Sequence, residues 1–165
     1  MNRTKAHLVA QLQEFFFEAM RAGWATTVPK RPVAGLWGSK SIAFTKGDLE
    51  LLDYYFVSPA SDYSYGTTTI WELRTPRWVM HYGGFYEKRA IPVLKAALRE
   101  TYSKNEFVGG RGPQIFRDRE HSLVYHNEPN SLLWGFERFR GLEEVFDVAE
   151  NLKKIGEHEY FGGLL

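Results

Sequence analysis

No cysteine occurs anywhere in the 165 residues, which excludes disulfides, thiolate nucleophiles and cysteine-ligated zinc. An excess of one charge is missing as well. Lys and Arg number 21 against 20 Asp and Glu, a formal net charge of +1. Such a balance gives no bulk electrostatic pull toward nucleic acid or an anionic membrane. Continuous apolar runs are short, and none approaches the ~20 residues that a membrane helix needs. Residues 1–25 carry neither the apolar segment nor the small-residue cleavage site of a signal peptide. A soluble, cytoplasmic protein is therefore the expectation. No repeat, linker or low-complexity tract is visible, so residues 1–165 read as one domain, able to bury roughly two-thirds of its unfolded surface. What the chain has in excess is aromatic rings, at 16% of residues. Rings build either cores or pockets, and Tyr and Trp add a polar handle.

Thr4 is placed to cap a helix running to about Ala22, with Gly23 at its C-terminal end. Leu8, Leu12, Phe15, Phe16 and Ala19 form its apolar stripe. Residues 26–40 contain Pro29, Pro32, Gly35 and Gly38 and read as a long loop, a candidate flap. Strands are expected over 41–44 and 49–57 around a turn with Gly47, then a polar loop over 58–66. Two further strands, 67–73 and 78–85, flank a connection holding Pro76. On one face of that pair, alternation places Trp71, Trp78, Met80 and Tyr82. A second helix is expected over 87–103 with Ile91, Leu94, Leu98 and Tyr102 inward, Pro92 being tolerated in its first turns. Strands follow over 114–117, 122–126 and 132–139, with a turn at 127–130 between the last two. The segment 142–155 fits a helix or a short strand on periodicity alone. Strand runs broken by two helices indicate α+β.

Trp71, Trp78, Met80, Tyr82, Trp134 and Phe136 either cradle a planar or apolar ligand or pack against the helices as core. Tyr125 and His81, each on an expected strand, join the ligand-binding candidates. Arg111, inside Gly109-Gly110-Arg111-Gly112-Pro113, is the best carboxylate or phosphate clamp. That loop lacks the Walker lysine and precedes a strand, so it reads as a tight turn. Should the chain be an enzyme, Glu137 or His126 is the candidate general acid–base group, His81 and His126 being the histidines that sit on strands amid aromatics; Glu143 and Glu144 are adjacent and split across a strand. The five histidines match no metal-binding spacing, so neither metal nor cofactor is expected. Trp37-Gly38-Ser39 lacks the context of a serine nucleophile. Arginines lie near aromatics, but no ribonucleoprotein signature accompanies them, and nucleic acid is not an expected partner.

One order of motifs goes further. Asp53-Tyr54-Tyr55-Phe56, Tyr65-Gly66, Pro76-Arg77-Trp78-Val79-Met80-His81-Tyr82-Gly83, Arg111-Gly112-Pro113, Trp134-Gly135-Phe136-Glu137, Gly141-Leu142-Glu143-Glu144-Val145 and Tyr160-Phe161-Gly162-Gly163 occur in sequence. This resembles an uncharacterised bacterial and archaeal domain family, found alone or C-terminal to Cro/repressor-type helix-turn-helix regulators. Trp24, His81 and Arg138 depart from its pattern. The resemblance implies strands at 143–148 and 155–161, in place of a helix, and a small-molecule sensor. The resulting expectation is an α+β domain, a strongly bent antiparallel sheet wrapped around a central helix with an N-terminal covering helix. It binds a small, partly planar ligand through Trp71, Trp78, Tyr82, Trp134 and Phe136, oriented by Arg111 or His126. The rival is a cofactor-independent hydrolase, isomerase or cyclase using Glu137 or His126 in the same cavity. A third alternative is a protein-interaction module, and homodimer formation is left open.

Overall fold

The computed structural model describes residues 4–24 and 30–165, with the side chains of Ser131 and Trp134 also outside the description. The elements run α1 (Lys5–Trp24), β1 (Ser39–Lys46), β2 (Leu49–Ser58), β3 (Ser61–Glu72), β4 (Thr75–Tyr86), α2 (Ile91–Lys104), β5 (Ile115–Asp118), β6 (Leu123–Gly135), β7 (Arg138–Asp147) and β8 (Lys153–Leu164). The eight strands form one sheet in the order β1-β2-β3-β4-β8-β7-β6-β5. Every pairing is antiparallel. Two four-strand meanders, one before α2 and one after it, thus join where β4 pairs β8. The class is α+β, as the sequence indicates.

The apolar stripe of α1 is buried as expected at Leu12, Phe15, Phe16 and Ala19, and Phe17 and Met20 widen it. Phe17 lies edge-on to Phe16, which in turn lies edge-on to Tyr102 of α2. Thr4 Oγ1 accepts the His7 amide at 3.3 Å, the capping bond its position predicts. Gly23, however, does not end the helix. A Cβ there would lie 2.2 Å from Ile42 Cγ2, so its role is close approach to β1. A 3-10 turn over Lys88–Ala90 leads into α2, which starts at Ile91, with Pro92 in its first turn. Asn105, left-handed at φ 56°, closes it.

Several strand boundaries differ from the sequence reading. The expected polar loop at 58–66 is mostly β3, because only a two-residue turn at Pro59 and Ala60 separates β2 from β3. Leu73 and Arg74, both at positive φ, make the next turn, and Pro76 lies inside β4 at a register shift beside Trp71. The expected turn at 127–130 is continuous strand, β6 pairing β7 through Asn127, Glu128 and Pro129 before an irregularity. The expected strand 132–139 is instead broken by a turn at Phe136 and Glu137. That turn cancels the alternation there, and Phe136 and Phe139 are both buried. Residues 143–147 lie in β7 and 155–161 in β8, so the strand assignment implied by the family resemblance holds over the helical period.

Candidate functional site

Strand register organises the helix-covered face of the sheet into transverse rows, since directly opposed residues project to the same side. One row joins Ile70, Trp78 and Leu164; the next joins Asp53, Thr68, Met80, Gly162 and Phe139. Tyr55, Gly66, Tyr82, Tyr160 and Gly141 form a third, and Ser64, Gly84, His158, Glu143 and Asn127 a fourth. Along these rows the chemistry changes from dry to polar.

At the dry end Trp78 stacks on Phe136 at 5.0 Å and on Phe139 at 5.4 Å. Phe16 and Phe107 close over them. Trp78 Nε1 donates to the Phe136 carbonyl at 2.9 Å, so its only polar atom is satisfied. Trp78, Met80 and Phe136 are core. Proposed as ligand-binding from sequence, they are buried among the rings of the core, Trp78 and Phe136 against Phe16 of α1. Trp71, expected on the same face, neighbours the inward Ile70 in β3 and so points the other way, half-buried.

The polar end is built around two buried carboxylates. Asp53 Oδ1 accepts from Tyr82 Oη at 2.7 Å and Thr68 Oγ1 at 2.9 Å, and Oδ2 accepts from Trp24 Nε1 at 3.1 Å. Gly66 makes this possible, because a Cβ at that position would fall 2.5 Å from the Tyr82 phenol. Burial pushes the Asp53 carboxyl up, against the lowering effect of those three donors. Glu143, fully buried, pairs with Arg111: Nε donates to Oε1 at 2.9 Å, and Nη2 reaches the same oxygen. Tyr86 Oη donates to Oε1 at 2.6 Å and Tyr125 Oη to Oε2 at 2.7 Å. Burial alone would raise the Glu143 carboxyl; the Arg111 guanidinium and these hydrogen bonds hold it below the usual range.

The glycine-rich loop exists to deliver Arg111 to that pair. Gly109 and Gly110 take φ of 63° and 72°, the left-handed region where a side chain is strained. Its carbonyls are then tied down one by one. Thr101 Oγ1 donates to the Arg111 carbonyl at 2.8 Å, Tyr102 Oη to that of Gly110 at 3.0 Å, and Asn127 Nδ2 to that of Gly112 at 2.7 Å. Arg111 also lies 5.2 Å from the Tyr82 ring centroid, within cation–π range.

His158 completes the cluster. Its Nε2 lies 3.2 Å from Ser64 Oγ, a reach across β4 that the missing side chain of Gly84 permits. Its Nδ1 is buried without a hydrogen-bond partner among the described residues and sits 4.0 Å from Glu143 Oε1. Burial pushes this imidazole down to about 4; Glu143 opposes the shift and Arg111 adds to it. His158 is therefore neutral at neutral pH.

Above these groups lies a cavity of about 380 Å³, within the range of roughly 300–1,000 Å³ of small-molecule sites. Tyr82, Tyr86, Arg111, His158 and Ser64 contribute to it from below, and Ile91, Leu94 and Leu98 of α2 supply an apolar wall. Trp24, stacked on Tyr55 at 6.1 Å, forms another side. Lys30 Nζ sits 3.6 Å above the Trp24 ring and donates to Tyr55 Oη at 3.0 Å. The expected flap at 26–40 falls partly outside the described residues. Its described part is held to the sheet: Arg31 bridges Ser41, Ser39 Oγ binds both the Val33 amide and the Leu36 carbonyl, and Val57 donates to Gly38.

Of the ligand-binding residues expected from sequence, the structure brings Tyr82 and Arg111 to this cavity, with Tyr125 one hydrogen bond behind through Glu143. His81 is on the opposite face of the sheet, exposed beside Phe161 and bonded to Thr67. Glu137 is exposed and pairs with Lys5. His126 lies half-exposed 3.9 Å from Glu144, outside the cavity lining. Neither acid–base candidate is in the cavity: His126 alternates outward on β6, and Glu137 lies in the turn between β6 and β7. The Trp134 side chain lies outside the described residues. Asp53, Glu143, His158, Ser64, Lys30 and Trp24 were missed as site residues. The signal available for Asp53 and Glu143 was a carboxylate at a strand position whose alternate neighbours are apolar, as with Leu51 and Val145.

Among the described residues no group of three or more His, Asp or Glu is placed to hold a metal ion. No helix there is long and apolar enough to cross a membrane. Compared with protein-family models, curated proteins and solved structures, the chain matches none.

Proposed function

We propose that the chain is a small-molecule-binding domain whose ligand, partly planar and partly apolar, enters the cavity between α2 and the β2–β4 and β8 strands. One observation carries this. A solvent-reachable cavity of about 380 Å³ sits directly over a buried set of charged groups, and burying an Arg–Glu pair with a neutral histidine gains little stability in itself. A stability rationale for the cluster is therefore weak, and a recognition rationale is strong. The motif order that resembles regulator-associated domains supports a sensing role in the bacterial cytoplasm. It also fits a sheet bent around α2, with the Arg111-Gly112-Pro113 and Glu143 motifs meeting inside. A thermal-shift screen of planar fragments tests the reading. At a concentration 100 times its Kd, a ligand adds about 2.7 kcal/mol of stability, and Ser64→Trp, which fills the cavity, is expected to abolish the shift. Fragments that stabilise both proteins equally, or none that stabilises either, would contradict it.

A second reading, a cofactor-independent hydrolase, is favoured by the Ser64–His158 contact. In it Ser64 Oγ adds to an ester carbonyl while its proton passes to His158 Nε2 and then to the departing alkoxide. Water repeats the step and frees the acid. Hydrolysis of 2-naphthyl acetate that disappears in Ser64→Ala would support it; equal rates in the two proteins would remove it.

A further inference from the structure

The charge around the cavity is unlike that of the chain. Across the whole protein cations and carboxylates nearly cancel, with a net charge of +1. Yet the cavity lining contains Lys30, Lys40, Lys88, Lys95 and Arg111 against a single carboxylate, Asp62. Arg111 is answered by Glu143 beneath it. Lys40, Lys88 and Lys95 form no ion pair among the described residues. Among the described residues Lys30 meets the Tyr55 hydroxyl and the Trp24 and Tyr55 ring faces. These lysines come from three separate parts of the chain: the segment before β1 and its first residues, the 3-10 turn, and α2. Convergence from separate segments is not the solvated stripe that one helix face would give. They also act on each other: burial is the main cause that brings Lys30 down to about 8, the buried Asp53 opposes it, and Lys95 and Lys40 add to it. Unneutralised ammonium groups around a concave, partly apolar wall focus potential into it.

We infer that the ligand is a small anion, a carboxylate or phosphate monoester carried on a planar or apolar body. The anionic group sits among the rim lysines, and the body lies against Trp24, Tyr55 and the Ile91–Leu94 wall. This rests on the binding role proposed above and adds the ligand's charge to it. The anion replaces the missing carboxylates, and the uncharged Tyr82, Tyr86 and His158, beside an Arg111 already paired with Glu143, face the body.

Calorimetric titration of the full chain with 2-naphthol, 2-naphthoate and 2-naphthyl phosphate tests the inference, because the three share one planar body. Both anions are expected to bind at least about tenfold tighter than the neutral naphthol at low salt, a difference of ~1.4 kcal/mol, and to lose that advantage as ionic strength rises. Lys95→Gln and the exposed Lys88→Gln, each checked for an unchanged melting temperature, are expected to weaken the anions about tenfold or less each and leave naphthol unchanged. Naphthol binding as tightly as the anions, or anion binding indifferent to both substitutions, would overturn the anion assignment while leaving the cavity a binding site. No heat with any of the three would overturn both.

Discussion

Trp78 and Glu143 are both fully buried on the helix-covered face of one sheet, yet their surroundings obey different rules. Around Trp78, apolar rings stack and the one polar atom has its acceptor. Packing there is an end in itself, since buried ring area stabilises directly. Around Glu143, three donors and a nearby imidazole have been brought out of water. Desolvating them costs several kcal/mol per ion before the pairing offsets it. The comparison teaches that aromatic density marks where this fold is held together. Buried charge beneath an opening marks where it meets something else.

The sharpest way to probe the difference is to delete at each end. Trp78→Ala is expected to cost about 3–5 kcal/mol through cavity formation, with no second substitution able to restore it short of refilling the volume. Glu143→Leu is expected to cost a similar ~3–5 kcal/mol, because Arg111 is left buried without its partner. There, however, adding Arg111→Met is expected to recover most of the loss. Denaturant unfolding of the three variants checks this, and a double variant no more stable than Glu143→Leu alone would break the distinction.

A pH titration separates the ends next. The unfolded His158 imidazole protonates near its ordinary 6.5, whereas in the fold burial delays protonation to about 4. Between those values the unfolded state binds more protons, so this residue makes stability fall as pH drops from about 6.5 to about 4. The loss amounts to about 3 kcal/mol at its full extent. The His158→Gln variant is expected to lack that component, seen as the difference between the two stability–pH curves, whereas Trp78→Ala is expected to retain it. Smaller still is Tyr82→Phe, which removes one of three donors from Asp53 and is expected to cost about 1–3 kcal/mol. Glu137→Gln, at the exposed pair with Lys5, is expected to change neither stability nor ligand affinity measurably.

Much of the fold was legible from the chain. The α1 stripe, the Thr4 cap, the β1–β2 hairpin and the α+β class follow from periodicity and turn chemistry. The strand character of 143–148 and 155–161 needed the family resemblance, since Val145 and Phe146 fit either period. The break at Phe136 and Glu137 was hidden because alternation continues smoothly through it on paper. The site was less legible. Trp78 and Met80 carry the strongest local signal, but that signal cannot distinguish a filled interior from a lined cavity. Asp53, Glu143 and His158 lie 90 and 15 residues apart, and only the β4–β8 junction brings their rows together. Arg111 was the exception, as a lone guanidinium in a glycine-tight turn.

Amide chemical-shift mapping with 2-naphthoate tests the central claim most directly, since it asks at which end of the sheet a planar anion binds. The largest shifts are expected at Asp62, Ser64, Lys95, Arg111 and His158, around the cavity. Shifts centred on Phe136, Phe139 and Gly162, or on Phe56 and Phe161 across the sheet, would contradict the assignment of the site to the polar end.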